Sequence, residues 1–168
     1  MAKNEQKKLE KTNWMSRFTL IGKAKINEFT FKIDEFSEKS KWRYNSLNLG
    51  VDCGEKYGTV FCEMMGGYSE ATGNNVIYVH GRDGKADDFD NLFTVDWNDR
   101  FNEDILKTVG DLCFIKVGLE QKSGTKDTFY KSFLSAYDAI AYIQEHLEDG
   151  MIVNVKGTLK YSEYNGTV

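Results

Sequence analysis

Trp42, Tyr44 and Phe61, set near Lys23, Lys25, Lys41 and Arg43, are the residues whose types and spacing best suit a chemistry, and that chemistry is non-covalent. A flat aromatic ring offers a stacking surface to another π-system, and a lysine or arginine beside it offers charge to a phosphate. Trp42 and Tyr44 lie two apart, as do Leu47, Leu49 and Val51 behind them. In an extended strand, the period of two sends Leu47, Leu49 and Val51 into a core and Trp42, Tyr44, Ser46 and Asn48 to the opposite, water-facing side. After the turn Gly54-Glu55-Lys56-Tyr57-Gly58, the same alternation sends Val60, Cys62 and Met64 inward and Thr59, Phe61 and Glu63 outward. Three large aromatics facing water are unfavourable unless something flat and apolar stacks on them. The competing reading covers Trp42, Tyr44 and Phe61 with residues 68–110 and makes them part of a second core.

Other chemistries find less support. The cysteines Cys53, Cys62 and Cys113 are odd in number and share no metal-ligand spacing, so neither a disulfide framework nor a zinc site is expected. His80 and His146 are isolated in sequence, with no Ser or Cys and carboxylate arrangement that suggests a triad. There is no dinucleotide fingerprint and no P-loop. The acidic run Asp83, Asp87, Asp88 and Asp90 departs from the ligand spacing of an EF-hand and reads as a solvated turn. The enzymatic alternative is a metal-dependent nuclease using those four carboxylates; the leading reading is non-catalytic, with no cofactor and no metal.

The 168 residues fit one domain with a substantial core. No apolar run approaches the roughly 20 residues of a membrane span, and the lysine-rich start has no apolar signal-peptide core, so an intracellular protein without membrane contact is expected. Net charge is −4, yet residues 1–60 hold 12 Lys+Arg against 8 Asp+Glu, whereas residues 61–110 hold 4 against 10. The mildly acidic whole argues against indiscriminate nucleic-acid binding and leaves room for a local basic groove around the aromatic hairpin.

The elements that must position these residues are mostly strands. Residues 1–13 are expected to be a flexible arm. Phe18 to Phe36 reads as one long bent strand in which Phe18, Leu20 and Ile26 share a parity with the small Gly22 and Ala24. Ile21, Lys23 and Lys25 take the other face, beside Trp42 and Tyr44 if the first two strands form a meander. Asn75 to Arg82 reads as a strand, followed by the acidic turn 83–90 and a strand from Leu92 to Trp97. Strands follow at Leu112 to Gln121 and Thr128 to Phe133. Ala136, Ala139, Ile140, Ile143 and Leu147 recur at helical spacing, with Ser135 or Asp138 near the start and Gly150 past the end. Met151 to Tyr161 alternates as a strand, and Asn165-Gly166 signals a tight hairpin.

With these elements in order, WRYNSLNLGVDCG, the later EMMGG and HLEDGMIVNVKGTLKYSEYNG together resemble the single-stranded-DNA-binding OB-fold proteins encoded by phages and mobile elements of Gram-positive bacteria. The resemblance covers Phe18 to the end. It implies a mainly β OB-fold barrel with one amphipathic helix before the fourth strand. Residues 14–168 then form a single domain with an insertion at about 68–134 after the third strand and a truncated fifth strand. It also implies a cytoplasmic protein of a bacterial host cell that serves replication or recombination, with single-stranded DNA and replication or recombination proteins as partners. The oligomeric state stays open. Carried over by position, Trp42, Tyr44 and Phe61 are stacking candidates, and Arg43, Lys23, Lys25 and Lys41 phosphate candidates. Asn45 and Asn48 are candidates for hydrogen-bonding bases. Lys160, Tyr161 and Tyr164 belong to a loop that closes over the nucleic acid. An OB module that binds RNA or a protein is the alternative.

Overall fold

In a computed structural model that describes residues 16–160, the chain runs through nine strands and two α-helices among the described residues. These are β1 (Arg17–Lys25), β2 (Phe31–Ser37), β3 (Trp42–Asp52), β4 (Thr59–Ser69), β5 (Val76–Asp83), β6 (Ala86–Asp96), α1 (Glu103–Leu106), β7 (Ile115–Gln121), β8 (Thr128–Phe133), α2 (Ala136–His146) and β9 (Ile152–Thr158). The fold is mainly β with one principal helix. The central sheet is five-stranded and antiparallel, and β3 is its spine. Along one edge β3 pairs with β4 over its whole length; along the other it pairs first with β2 and then with β1, which continues to β9. β5–β6 and β7–β8 are separate two-stranded sheets, and among the described residues the sheets do not close into a barrel. The segment after Lys160 that would carry the expected fifth strand, and the expected arm at 1–13, lie outside the described residues.

The expected long first strand is two strands. Between them Asn27 Oδ1 accepts the Phe29 N–H at 2.8 Å and Thr30 Oγ1 accepts the Asn27 N–H at 2.9 Å, so short polar side chains replace ladder bonds and turn the chain. The parity read for β1 holds. Leu20, Ala24 and Ile26 join the core while Lys23 and Lys25 face water. Gly22 stands where β1 passes from β9 to β3. A Cβ there would come within 2.0 Å of the Asp52 carbonyl, so only glycine permits that approach.

The helix forms as its spacing predicts. The Ser135 hydroxyl accepts the Tyr137 N–H at 3.1 Å as N-cap, and Ala139, Ile140, Tyr142 and Ile143 are its buried face. They pack with Leu47, Leu49 and Val51 of β3 into the main core, and each fully buried aliphatic side chain contributes about 1.5–3 kcal/mol. Gly66 explains part of the EMMGG motif: a Cβ there would meet the Tyr137 backbone nitrogen at 2.7 Å, so the helix start rests directly on β4.

Two expectations between β4 and α2 are corrected. The acidic stretch is no loop: β6 begins at Ala86, and the reversal is confined to residues around Gly84, at φ +60°. A carboxylate is tolerated there because Asp87 accepts the N–H groups of Asp111 and Leu112 at 2.7 and 2.8 Å. The strand expected from Leu112 starts only at Ile115, because Asp111–Cys113 form a 3₁₀ turn. Val79, Val95, Val109 and Leu134 make a second, smaller core in this region. Trp42, Tyr44 and Phe61 are not among its members.

Candidate nucleic-acid interface

Strand register decides what shares the outer face of the central sheet. Directly paired residues lie on one side, so β3 contributes Trp42, Tyr44, Ser46, Asn48 and Gly50, and β4 sets Gly67, Met65, Glu63 and Phe61 opposite the last four. Trp42 and Tyr44 stack on each other, with centroids 5.5 Å apart and planes 20° apart. Phe61 is 64% exposed and lies over Gly50, whose added Cβ would touch the Phe61 ring at 3.1 Å. Six residues of strand separate Tyr44 from Gly50, so the two aromatic stations stand about 20 Å apart along β3. Between them lie Ser46, exposed Asn48, and Met65, itself 58% exposed.

Two of the cations on this face stand at the Phe61 end. Lys25 is registered with Gly50 and Lys23 with Asp52, which puts both beside Phe61 and not beside Trp42 and Tyr44 as the meander expectation had it. Lys25 Nζ donates to Thr59 Oγ1 at 3.2 Å and lies 3.7 Å from Asp52 Oδ2, while Lys23 forms no ion pair among the described residues. Lys32 is a cation that alternation missed. It pairs with Ser46 because the Asn27–Thr30 turn between β1 and β2 reverses the parity that one unbroken strand would give; the register shift after Lys32 then puts Glu35 on the same face. Met65 was also missed, although it continues the parity of Phe61 and Glu63. Glu35 and Glu63 share the face, so it carries mixed charge.

Several candidates sit elsewhere. Arg43 has the opposite parity: it pairs with Tyr68, is bonded to Glu70, lies 3.5 Å from Asp34 Oδ1, and has its guanidinium 5.2 Å from the Phe36 ring centre. Asn45 is only 1% exposed; its Oδ1 accepts the Asp34 N–H at 2.6 Å and its Nδ2 donates to the Tyr137 carbonyl at 2.7 Å. Asn45 is therefore a structural tie beneath the face, and Arg43, with its side chain 27% exposed, is ion-paired on the side away from Trp42 and Tyr44. Val60, read as inward, is exposed at the strand start. Lys41 occupies the β2–β3 turn at φ +52° with Nζ 2.8 Å from Glu38. Lys160 is exposed just past β9, and Tyr161 and Tyr164 lie outside the described residues.

A second polar cluster corrects the view of His80 as isolated. Its Nε2 is 2.7 Å from Asp87 Oδ2, and Cys113 Sγ lies 3.2 Å from its Nδ1. No sequence motif links positions 80, 87 and 113; pairing of β5 with β6 and the turn before β7 bring them together. Of the four carboxylates weighed as a nuclease centre, Asp87 is committed to this cluster. Among the described residues no three His, Cys, Asp or Glu side chains are gathered around a metal-sized space. No described helix is long and apolar enough to cross a membrane.

Fold and face define a mainly β chain with one open sheet surface, aromatic at both ends and basic at one. No protein-family model matches it, and no curated protein or solved structure does.

Proposed function

We propose that this protein binds single-stranded DNA without catalysis, laying the strand across the outer face of β3 and β4 and supporting replication or recombination in a bacterial cell. The observation that carries the reading is the shared face of half-buried Trp42 and Tyr44 and exposed Phe61, flanked by Lys23, Lys25 and Lys32. Stacking a base on such a ring is worth about 1–3 kcal/mol and tolerates any sequence, because every base has a π-face. A duplex hides those faces, so the single strand is preferred. Three lysines contacting phosphates give a salt dependence of log K against log salt of about −2.

The fold reading that accompanies this is an OB-fold. β1 and β2 act as two halves of one bent first strand, β3 and β4 complete the meander, and α2 precedes β9 as the fourth strand. The two hairpins between β4 and α2 are the insertion. The ligand-bearing face is then the one such folds use for oligonucleotides.

The test is anisotropy of labelled oligo-dT, with a matched duplex and oligo-rU alongside. Oligo-dT is expected to bind best, with Trp42→Ala and Phe61→Ala each lowering affinity by about 5- to 150-fold. No binding of oligo-dT at low salt sinks the reading. Full binding by both variants moves the site off this face, and preference for oligo-rU turns the function to RNA.

A further inference from the structure

Cys113 stands in a setting that Cys53 and Cys62 lack. Its Sγ accepts the His80 backbone N–H at 3.4 Å and lies 3.2 Å from Nδ1 and 3.7 Å from Nε2 of the same imidazole. The two ring distances are too alike for the sulfur to lie on the line of either N–H, so it sits against the ring, and what the ring offers it is charge once protonated. The ring itself is fixed. Asp87 Oδ2 holds Nε2 at 2.7 Å, Phe89 stacks at 4.3 Å between centroids, and Asp87 is held in turn by the N–H groups of Asp111 and Leu112. The Asp87 carboxyl is kept below the ordinary carboxylate range, chiefly by its hydrogen bond to His80. An ionised carboxylate, an imidazole and a thiol therefore stand in sequence.

All three cysteines are half-buried, and Cys113 borders a groove of about 420 Å³ with Tyr78, His80, Leu92, Phe93 and Thr94. By contrast Cys62 Sγ faces the Leu49 carbonyl at 3.6 Å and burial pushes its thiol up, while Cys53 Sγ faces the Val51 carbonyl at 3.6 Å. A carbonyl oxygen disfavours negative charge on sulfur, whereas an N–H and an imidazolium favour it; Cys113 Sγ also has the His80 carbonyl at 3.8 Å, but the N–H, at 3.4 Å, is nearer.

We propose that Cys113 is a modification site, a nucleophilic thiol that reacts with hydrogen peroxide and with small soft alkylating agents ahead of Cys53 and Cys62, with His80 and Asp87 as its positioning residues. In the oxidative case the thiol gives its proton to solvent and the sulfur attacks one peroxide oxygen. An S–O bond forms as the O–O bond breaks, sulfur gives up two electrons, and the departing hydroxide takes a proton from solvent and leaves as water. Cys113 is left as the sulfenic acid and His80 is unchanged. This site is independent of the nucleic-acid reading, being built on β5, β6 and the turn before β7.

The experiment labels the folded full chain with sub-stoichiometric iodoacetamide and maps each cysteine by peptide mass; a parallel arm uses hydrogen peroxide with dimedone as the sulfenic-acid trap. Cys113 is expected to react about ten-fold faster than Cys53 or Cys62, a difference that vanishes in denaturing urea. His80→Gln and Asp87→Asn are each expected to slow Cys113 several-fold and leave the other two unchanged. The direction discriminates, because a variant that merely loosens the Asp111–Cys113 turn exposes the sulfur and speeds its labelling. Equal rates for the three cysteines in the folded chain, or an unchanged or faster Cys113 in His80→Gln, overturns the proposal.

Discussion

The β3–β4 pair carries an aromatic group on each of its two sides, and the two are close in composition. Outside are Trp42, Tyr44 and, farther along, Phe61; inside are Tyr68, Trp97 and Tyr137, with centroids 5.4–5.9 Å apart, little different from the 5.5 Å of Trp42 and Tyr44. What differs is the use of the polar groups around them. On the inside the Arg100 guanidinium lies 4.1 Å over Trp97 and binds Asp138 at 2.7 Å, and the Tyr137 hydroxyl donates to Asp34 at 3.1 Å. On the outside, Lys23 and Lys32 have no carboxylate partner among the described residues, and Phe61 is 64% exposed beside Gly50. Ring content alone does not mark a binding face. Trp42 and Tyr44 are half-buried, as Tyr68, Trp97 and Tyr137 are, so the outer face is marked by its uncommitted lysines and by exposed Phe61.

Breaking the inner group tests this most strongly. Arg100 and Asp138 are both largely buried, so Arg100→Ala strands a carboxylate and uncovers Trp97; a loss of about 3–5 kcal/mol of stability is expected. Trp42→Ala, with half-buried Trp42 at the sheet end, is expected to change stability far less while weakening oligo-dT binding. Urea denaturation and oligonucleotide anisotropy on the same two proteins check both halves. If Arg100→Ala weakens binding under conditions where it stays fully folded, or Trp42→Ala proves the less stable of the two, the two sides are not functionally distinct.

A neighbouring pair on one strand sharpens the same contrast. Asn45→Ala orphans the Asp34 N–H and removes the bond that the Tyr137 carbonyl accepts beside its helical one, and is expected to lose about 1–3 kcal/mol of stability. Asn48→Ala alters an exposed side chain on the outer face and is expected to stay within about 0.5 kcal/mol. The pair is informative because both residues were equal candidates for touching a base. Equal denaturation midpoints for the two variants would remove the assignment of Asn45 as a structural tie.

Asn45 also marks where reading from sequence stops. Alternation correctly divides Leu47, Leu49 and Val51 from Tyr44 and Asn48, because a period of two is a covalent property of extended chain. Helical spacing likewise gives α2 nearly to its ends. Alternation cannot report the partner at the end of a side chain. Asn45 and Arg43 are polar and adjacent to Trp42 and Tyr44, and only the approach of α2 and of Glu70 shows them to be committed. It also fails across irregularities. The Asn27–Thr30 turn divides a strand that apolar pattern made continuous and so brings Lys32 onto the outer face, although Asn and Thr three residues apart were a visible turn signal, and the register shift in β2 puts Glu35 on the same face. The His80, Asp87 and Cys113 cluster spans three elements with no fixed spacing, so nothing local announces it.

The smallest expected effect at neutral pH concerns the inner group again. Burial first, and then the hydrogen bond to the Asp34 carboxylate, push the Tyr137 hydroxyl up to about 12. In the unfolded chain it ionises near 10. The folded state therefore holds the proton more tightly, so the stability this group contributes is complete below about pH 10 and is lost as pH climbs from there toward about 12. Tyr137→Phe removes that limb: it is expected to lose about 1 kcal/mol near neutrality, for one hydrogen bond, and to narrow the gap to the unsubstituted chain as pH rises above 10. Denaturation midpoints for both proteins across this window measure it. A gap that stays constant with pH would mean that the Tyr137 proton is held no more tightly folded than unfolded. The distinction between the two sides would then rest on Arg100 and its ion pair with Asp138 alone.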